Sequence, residues 1–143
     1  MAELPASEPR RIDRLKAGLL GLPPEVVDKW ERAPQSLTAA EEKSVQRHPI
    51  LGQELTQFTE PFQHVGPAIR AHHEHFDGTG YPDGLAGDHI PWLGRLLAVA
   101  VACATDSGGP DATIEAIRQG SGTRFDPRAV DALVRSLPES VTG

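Results

Sequence analysis

Apolar residues recur along this chain at helical spacing, and prolines and glycines cut the pattern into short segments. Ile12, Leu15 and Leu19 share one face of a helix predicted over residues 10–20. Gly21, Pro23 and Pro24 interrupt it, and Pro24 suits the first turn of a helix running to Trp30. Thr38 and Glu41 stand at capping-box spacing before a helix expected to reach about Arg47. Pro49 is expected to break that helix after His48, with Ile50, Leu51, Leu55 and Phe58 forming the apolar side of the next. A further helix covers residues 61–72, with an interruption at Gly66 and Pro67, and residues 76–87 form a long glycine-rich loop. The most apolar run, residues 91–105, is predicted as the central buried helix. Asp111 is expected to cap a helix ending at Gly120. Asp126 and Pro127 open a last helix, to about Leu137, with Val130, Leu133 and Val134 facing inward.

No strand alternation, internal repeat or low-complexity tract interrupts this sequence of elements. The expected fold is all-α, a single bundle of about six to seven helices. It occupies residues 10–138, between a frayed lead-in at 1–9 and a short tail at 139–143. At 143 residues and 38% hydrophobic the chain can build one core. With 5% aromatic residues, aliphatics must fill it. A net charge of −6 gives none of the basic surface that a nucleic-acid backbone would require. No run approaches the roughly 20 apolar residues of a membrane span, and no apolar leader is read at the start, so the expected setting is the cytoplasm. The single cysteine, Cys103, excludes an intrachain disulfide and a cysteine-based zinc site, and is read as a buried thiol.

Candidate chemistry concentrates in residues 72–85, where His72, His73 and His75 precede a loop containing Gly78, Gly80, Tyr81, Pro82 and Gly84. Neutral imidazoles are the commonest protein ligands for transition metals, and glycines and a proline dictate a specific loop path. This stretch, with Ile90-Pro91 and Arg95 to Ala100, resembles the HD-GYP family of cyclic di-GMP phosphodiesterases. His48-Pro49 and Gly52 resemble the family's His-Pro-x-x-Gly element, and His72-His73-Glu74 its His-His-Glu. Asp77 to Pro82 is similar to the signature loop, and Gly122 with Phe125-Asp126-Pro127 to the C-terminal element. The resemblance implies a helical domain of the HD superfamily with two or three metal ions at its centre, and it makes His48, His72 and His73 metal ligands.

The departures from the family pattern fall on its acidic ligands. Counting back from Leu20-Gly21-Leu22-Pro23 places Leu15 at the histidine and Lys16 at the aspartate of the family's His-Asp pair. Val101 stands where a ligand aspartate follows the Arg-x-Leu-x-Val-Ala run. Ser107-Gly108-Gly109 replaces an arginine-rich segment that resembles a phosphate clamp. A dication beside leucine, valine and a cation-forming lysine would lack compensating oxygens.

The sequence therefore reads as a degenerate, non-catalytic member with no bound cofactor, acting through protein contacts or ligand sensing. Three alternatives stay open. One divalent ion (Fe, Mn or Zn) could sit on His48, His72 and His73. A residual metal-dependent phosphodiesterase acting on cyclic di-GMP or pGpG could recruit Glu74 and Asp77 or a partner chain. A cyclic di-GMP receptor without turnover is the third.

The resemblance implies a protein partner, such as a GGDEF diguanylate cyclase, at Asp77, Gly78, Gly80, Tyr81 and Pro82; homodimerisation is open as well. Arg95 could meet a phosphate or carboxylate, or an internal acid such as Asp77 or Asp88. His64, His75 and His89 are read as surface residues. Trp30 and Trp92 are read as core anchors or groove walls with no basic residues beside them.

Overall fold

The computed structural model describes residues 21–106 and 108–138. Among them every regular element is helical; strand pairing is limited to two isolated bridges, Asp77 with Ala86 and Ser121 with Phe125. The helix expected at residues 10–20, the lead-in, the tail and Ser107 lie outside the described residues. No helix of the described residues is long and apolar enough to cross a membrane. The chain divides into two compact units between Leu51 and Gly52.

In the first unit, α1 (Pro24–Arg32) starts with proline at N1, and α2 (Ala39–Val45) starts with a complete capping box. Thr38 Oγ1 accepts from the Glu41 amide at 3.2 Å, and the Glu41 carboxylate accepts from the Thr38 amide at 2.8 Å. Lys29 adds an ion pair to Glu41 at 2.9 Å, tying α1 to α2. The Thr38 amide first, and then Lys29, hold the Glu41 carboxyl below its ordinary value. Leu22, Val26, Val27 and Val45 form the core here, with Trp30 and Leu37 packed against it.

α2 ends at Val45, two residues sooner than expected. The reason is Pro49. It has no amide to give to the carbonyl four residues back, which is that of Val45, and its ring crowds that carbonyl. The chain turns at Gln46 and Arg47, and α3 (His48–Thr56) takes Pro49 into its first turn.

The second unit contains the end of α3, a 3₁₀ turn at Phe62–Val65, α4 (Gly66–Ala71), a 3₁₀ turn at Gly87–His89, α5 (Trp92–Thr105), α6 (Pro110–Gln119) and α7 (Pro127–Ser136). Its core joins Val99 of α5, Ile117 of α6, Phe125, and Ala129 and Val130 of α7. Leu133 and Val134 pack against it as their spacing requires. Gly94 sets the approach of α5 to α4: a Cβ there would stand 3.0 Å from that of Ala71.

Several expectations change. Gly66 and Pro67 start α4 instead of interrupting it, because proline fits a first turn and not an interior. Gly109, at φ 88°, is the N-cap of α6, with Pro110 at N1, so Asp111 lies in the first turn instead of capping it. α5 buries only Gly94, Arg95 and Val99 fully, while Leu93 is 51% exposed. Leu55 and Phe58 are exposed too; Phe58 lies past the end of α3, off the helical face. Cys103 is half-buried.

Asp126 is both the N-cap of α7 and an acid buried against Arg95. Its Oδ1 accepts from the Arg128 amide at 2.8 Å, and its Oδ2 from Arg95 Nη1 at 2.6 Å. Removing both roles should cost about 3–5 kcal/mol, since a buried arginine loses its principal counter-ion and a cap is lost as well. Asp126→Asn keeps a capping oxygen and removes the charge. Urea unfolding should therefore rank wild type above Asp126→Asn, and Asp126→Asn above Asp126→Ala.

Candidate functional site

Two of the candidate histidines, His48 and His72, stand at helix ends, and each ring bonds a carbonyl there. Because Pro49 cannot donate to the Val45 carbonyl, His48 does so with its own side chain, Nδ1 to Val45 O at 2.7 Å. The ring tilts against Trp30 with centroids 4.7 Å apart. His72 follows the last residue of α4, and its Nδ1 reaches the Ile69 carbonyl at 2.5 Å. Helix C-termini leave carbonyls without amide partners, and here imidazoles supply the missing donor. A carbonyl only accepts, so Nδ1 carries the proton in both rings and Nε2 carries the lone pair. This is the arrangement in which metal-binding histidines are normally oriented. His73 lies beside His72, with ring centroids 4.1 Å apart.

The glycine-rich loop then folds back over His73. Tyr81 donates its amide to the His73 carbonyl at 3.1 Å, and its ring stacks on the His73 imidazole with centroids 4.9 Å apart. Gly80 is required between them. A Cβ on Gly80 would lie 2.5 Å from the His73 carbonyl oxygen and 2.7 Å from the Glu74 carbonyl carbon. Glu74, 3% exposed, holds the far side of the loop: its two oxygens accept from the Asp83 amide at 2.7 Å and the Leu85 amide at 2.9 Å. Arg70 clamps Asp83 through two hydrogen bonds, of 2.7 and 2.8 Å.

Asp77 accepts from the Thr79 hydroxyl at 2.6 Å and the Thr79 amide at 3.0 Å. Its own amide donates to Thr123. Gly78 takes φ 85°, and Pro82 follows Tyr81 through a cis peptide. The run Asp77 to Pro82 is thus one folded unit that backs His73 and shapes its surroundings.

Arg95 belongs to a different cluster. It pairs with Asp88 at 2.9 Å and Asp126 at 2.6 Å, so the internal-acid expectation is met by Asp88 but not by Asp77. Arg128 contacts the same two acids at 2.6 and 3.1 Å. Trp92 corrects its expectation. It is 41% exposed, and its ring lies 5.2 Å from the Arg95 guanidinium carbon and 5.8 Å from that of Arg128. Asp126 was legible as a helix cap and as part of the C-terminal element, and Glu74 as part of the His-His-Glu element, but neither their buried roles nor Arg128 carried a sequence signal. His64 and His89 are exposed as expected, whereas His75 is half-buried with Nδ1 3.1 Å from the Thr79 hydroxyl.

Burial lowers the imidazoles, and arginine contact lowers Asp88 and Asp83. Burial holds His72 below its ordinary value, against the opposing hydrogen bond to Ile69. His75 is lowered by burial and then by Arg124. Asp88 is lowered first by Arg128. Burial pushes Asp126 up, but hydrogen bonds from Arg128 and Arg95 outweigh it and the net direction is down.

A family model for the HD domain matches residues 14–129. The chain belongs to the HD domain family, in its HD-GYP branch. It is 41% identical over 128 residues to the cyclic di-GMP phosphodiesterase response regulator RpfG of Xanthomonas campestris pv. campestris, covering 82% of this chain and 33% of that protein. It is 33% identical over 133 residues to a probable cyclic di-GMP phosphodiesterase of Vibrio cholerae, covering 82% and 29%. A cyclic di-GMP phosphodiesterase of Thermotoga maritima is 30% identical over 135 residues, covering 87% and 35%. The chain thus spans about a third of the length of these curated relatives.

Within the second unit of this HD-GYP chain, His72 and His73 offer adjacent imidazoles to a metal ion, and the third candidate, His48, belongs to the first unit. Neutral imidazoles alone do not make a bridged pair of ions, which needs an anionic oxygen between the metals. Val101 is half-buried on α5. Leu15 and Lys16 lie outside the described residues.

Two outcomes test this description. Gly80→Ala should destabilise the domain by about 2–4 kcal/mol, because its Cβ meets backbone. Gly87→Ala, at φ 54° in open space, should cost only about 1–2 kcal/mol by urea unfolding.

The second concerns pH. His72 has a lowered folded value, so its contribution is present above the ordinary imidazole value of 6.5 and is lost as pH falls through the folded one. In EDTA, stability should decline from about pH 6.5 downward, and less steeply in His72→Asn, whose amide can still reach the Ile69 carbonyl.

Proposed function

We propose that this chain is an HD-GYP module of cyclic di-GMP-related signalling that acts by protein contact or ligand sensing in the cytoplasm, without a two-metal hydrolytic centre of its own. The observation that carries this reading is the commitment of the acids around the loop. Both Glu74 oxygens are taken by backbone amides, Asp77 by Thr79, and Asp88 and Asp126 by arginines. Recruiting Glu74 to a metal would release the amides of Asp83 and Leu85 and unmake the loop that supports His73. Val101 supplies no oxygen, and the resemblance aligns Leu15 and Lys16 with the remaining family ligands. On this reading at most one divalent ion (iron, manganese or zinc) binds, with His48, His72 and His73 the ligands that the resemblance implies. When bound, such an ion supplies Lewis-acid polarisation of an oxygen ligand.

The outward edge of the loop, with Asp77, Thr79 and Asp83 exposed, offers the surface for a protein partner; a GGDEF diguanylate cyclase is one that the family resemblance suggests. Residues 10–138 act as the functional module on this reading.

A second reading, a residual phosphodiesterase, is favoured by the 41% identity to a protein named as one. The two separate cleanly. Purified protein supplied with Mn²⁺ or Fe²⁺ should leave cyclic di-GMP and pGpG intact, and elemental analysis should find about one metal ion per chain or fewer. Metal-dependent turnover that His72→Ala abolishes, or two ions per chain, would establish the second reading instead.

A further inference from the structure

Asp88 and Asp126 compete for the same two arginine N–H groups from opposite sides of the solvent boundary. Arg95 Nη1 and Arg128 Nη2 lie 2.6 and 3.1 Å from Asp126 Oδ2, and 2.9 and 2.6 Å from Asp88 Oδ1. The Asp126 side chain is 1% exposed and that of Asp88 is 80% exposed. Such an inequality separates a fixed partner from a removable one. The buried acid is held by the Arg128 amide that it caps, while an exposed ion pair contributes little and is screened by salt. Asp88 uses only Oδ1 for both arginines, and its side chain is 80% exposed.

Two further features surround the pair. Arg95 Nε is buried and has no hydrogen-bond acceptor among the described residues, although the side chain is nine-tenths buried. The Trp92 ring, partly open to solvent, lies against both guanidinium groups. With Asp88 in place, two positive and two negative charges cancel. Without it the cluster carries one net positive charge on a planar fork suited to an oxyanion.

We infer that Arg95 and Arg128 form a receiving site for the phosphate of a small phosphate monoester with an aromatic group, which Asp88 occupies as a displaceable internal substitute. A phosphate offers three terminal oxygens where Asp88 uses one, so it can satisfy both arginines while remaining solvated. The aromatic group would lie on the exposed part of Trp92. The site is independent of the histidines, and its test does not depend on how the metal reading stands.

The test is calorimetric titration of the full chain with inorganic phosphate and with adenosine 5′-monophosphate at low ionic strength. Asp88→Asn, a substitution at an exposed side chain, should bind both about tenfold more tightly than wild type. Arg128→Ala in that background should lose at least that gain, and Arg128→Gln should do the same if the alanine variant is unstable. The monophosphate should bind more tightly than phosphate, and Trp92→Leu should remove that difference. Equal affinity of wild type and Asp88→Asn, no saturable binding by either, or binding that survives both Arg128 substitutions would overturn the site. Equal affinity for the two probes would overturn the aromatic part of the ligand.

Discussion

At two helix ends a backbone carbonyl is held by an imidazole where an amide would ordinarily serve, and the chemistry available to this chain depends on that exchange. The Val45 carbonyl loses its amide because Pro49 has none, and His48 Nδ1 takes the place. The Ile69 carbonyl at the end of α4 is held the same way by His72. In each case a requirement of helix termination fixes the tautomer, and so places the lone pair on the opposite ring nitrogen. Fold and ligand chemistry are therefore one constraint at these positions. A substitution of Pro49 would act on His48 without touching it.

Around His73 the constraint comes from the loop. Gly80 lets the backbone pass the His73–His75 segment, the Tyr81 amide bonds the His73 carbonyl, and the Tyr81 ring stacks on the imidazole. Buried Glu74 keeps this path closed by accepting two amides. A buried carboxylate without such donors would carry a large desolvation cost, so its oxygens are not freely available to a metal. The loop's own fold thus takes up the acid that stands next to the histidines.

Much of this was legible in the sequence, where local rules decide it. The capping box at Thr38 and Glu41, the Asp126-Pro127 start of α7 and the inward face at Val130, Leu133 and Val134 follow from neighbours a few residues apart. The family signature located the histidines and the loop. Prolines were read correctly as breakers but misplaced as to side: Pro49 ends a helix four residues before itself, and Pro67 begins one. What stayed hidden depends on distant partners. Asp126 looked like a cap, and its pairing with Arg95 spans 31 residues. Trp92 looked like core because its run is apolar. Yet its ring is half outside, against Arg95 and against Arg128, 36 positions later in the chain.

The arginine cluster and the histidines illustrate opposite solutions to the same electrostatic problem. At Arg95 and Arg128 two cations stand together because two carboxylates offset them, one buried and one in water, and the chain supplies both. At the histidines the ligands are neutral, so any dication brings its full charge to imidazoles whose only compensation is polarisation and solvent. One ion could be tolerated on those terms if water completed its coordination. A second ion nearby would add repulsion between dications with no anionic bridge among the described residues to offset it. Among the described residues, Glu74 and Asp77 are folded into the loop, and Asp88 and Asp126 are paired with arginine. Charge placement, and not the signature loop alone, is what distinguishes the two clusters.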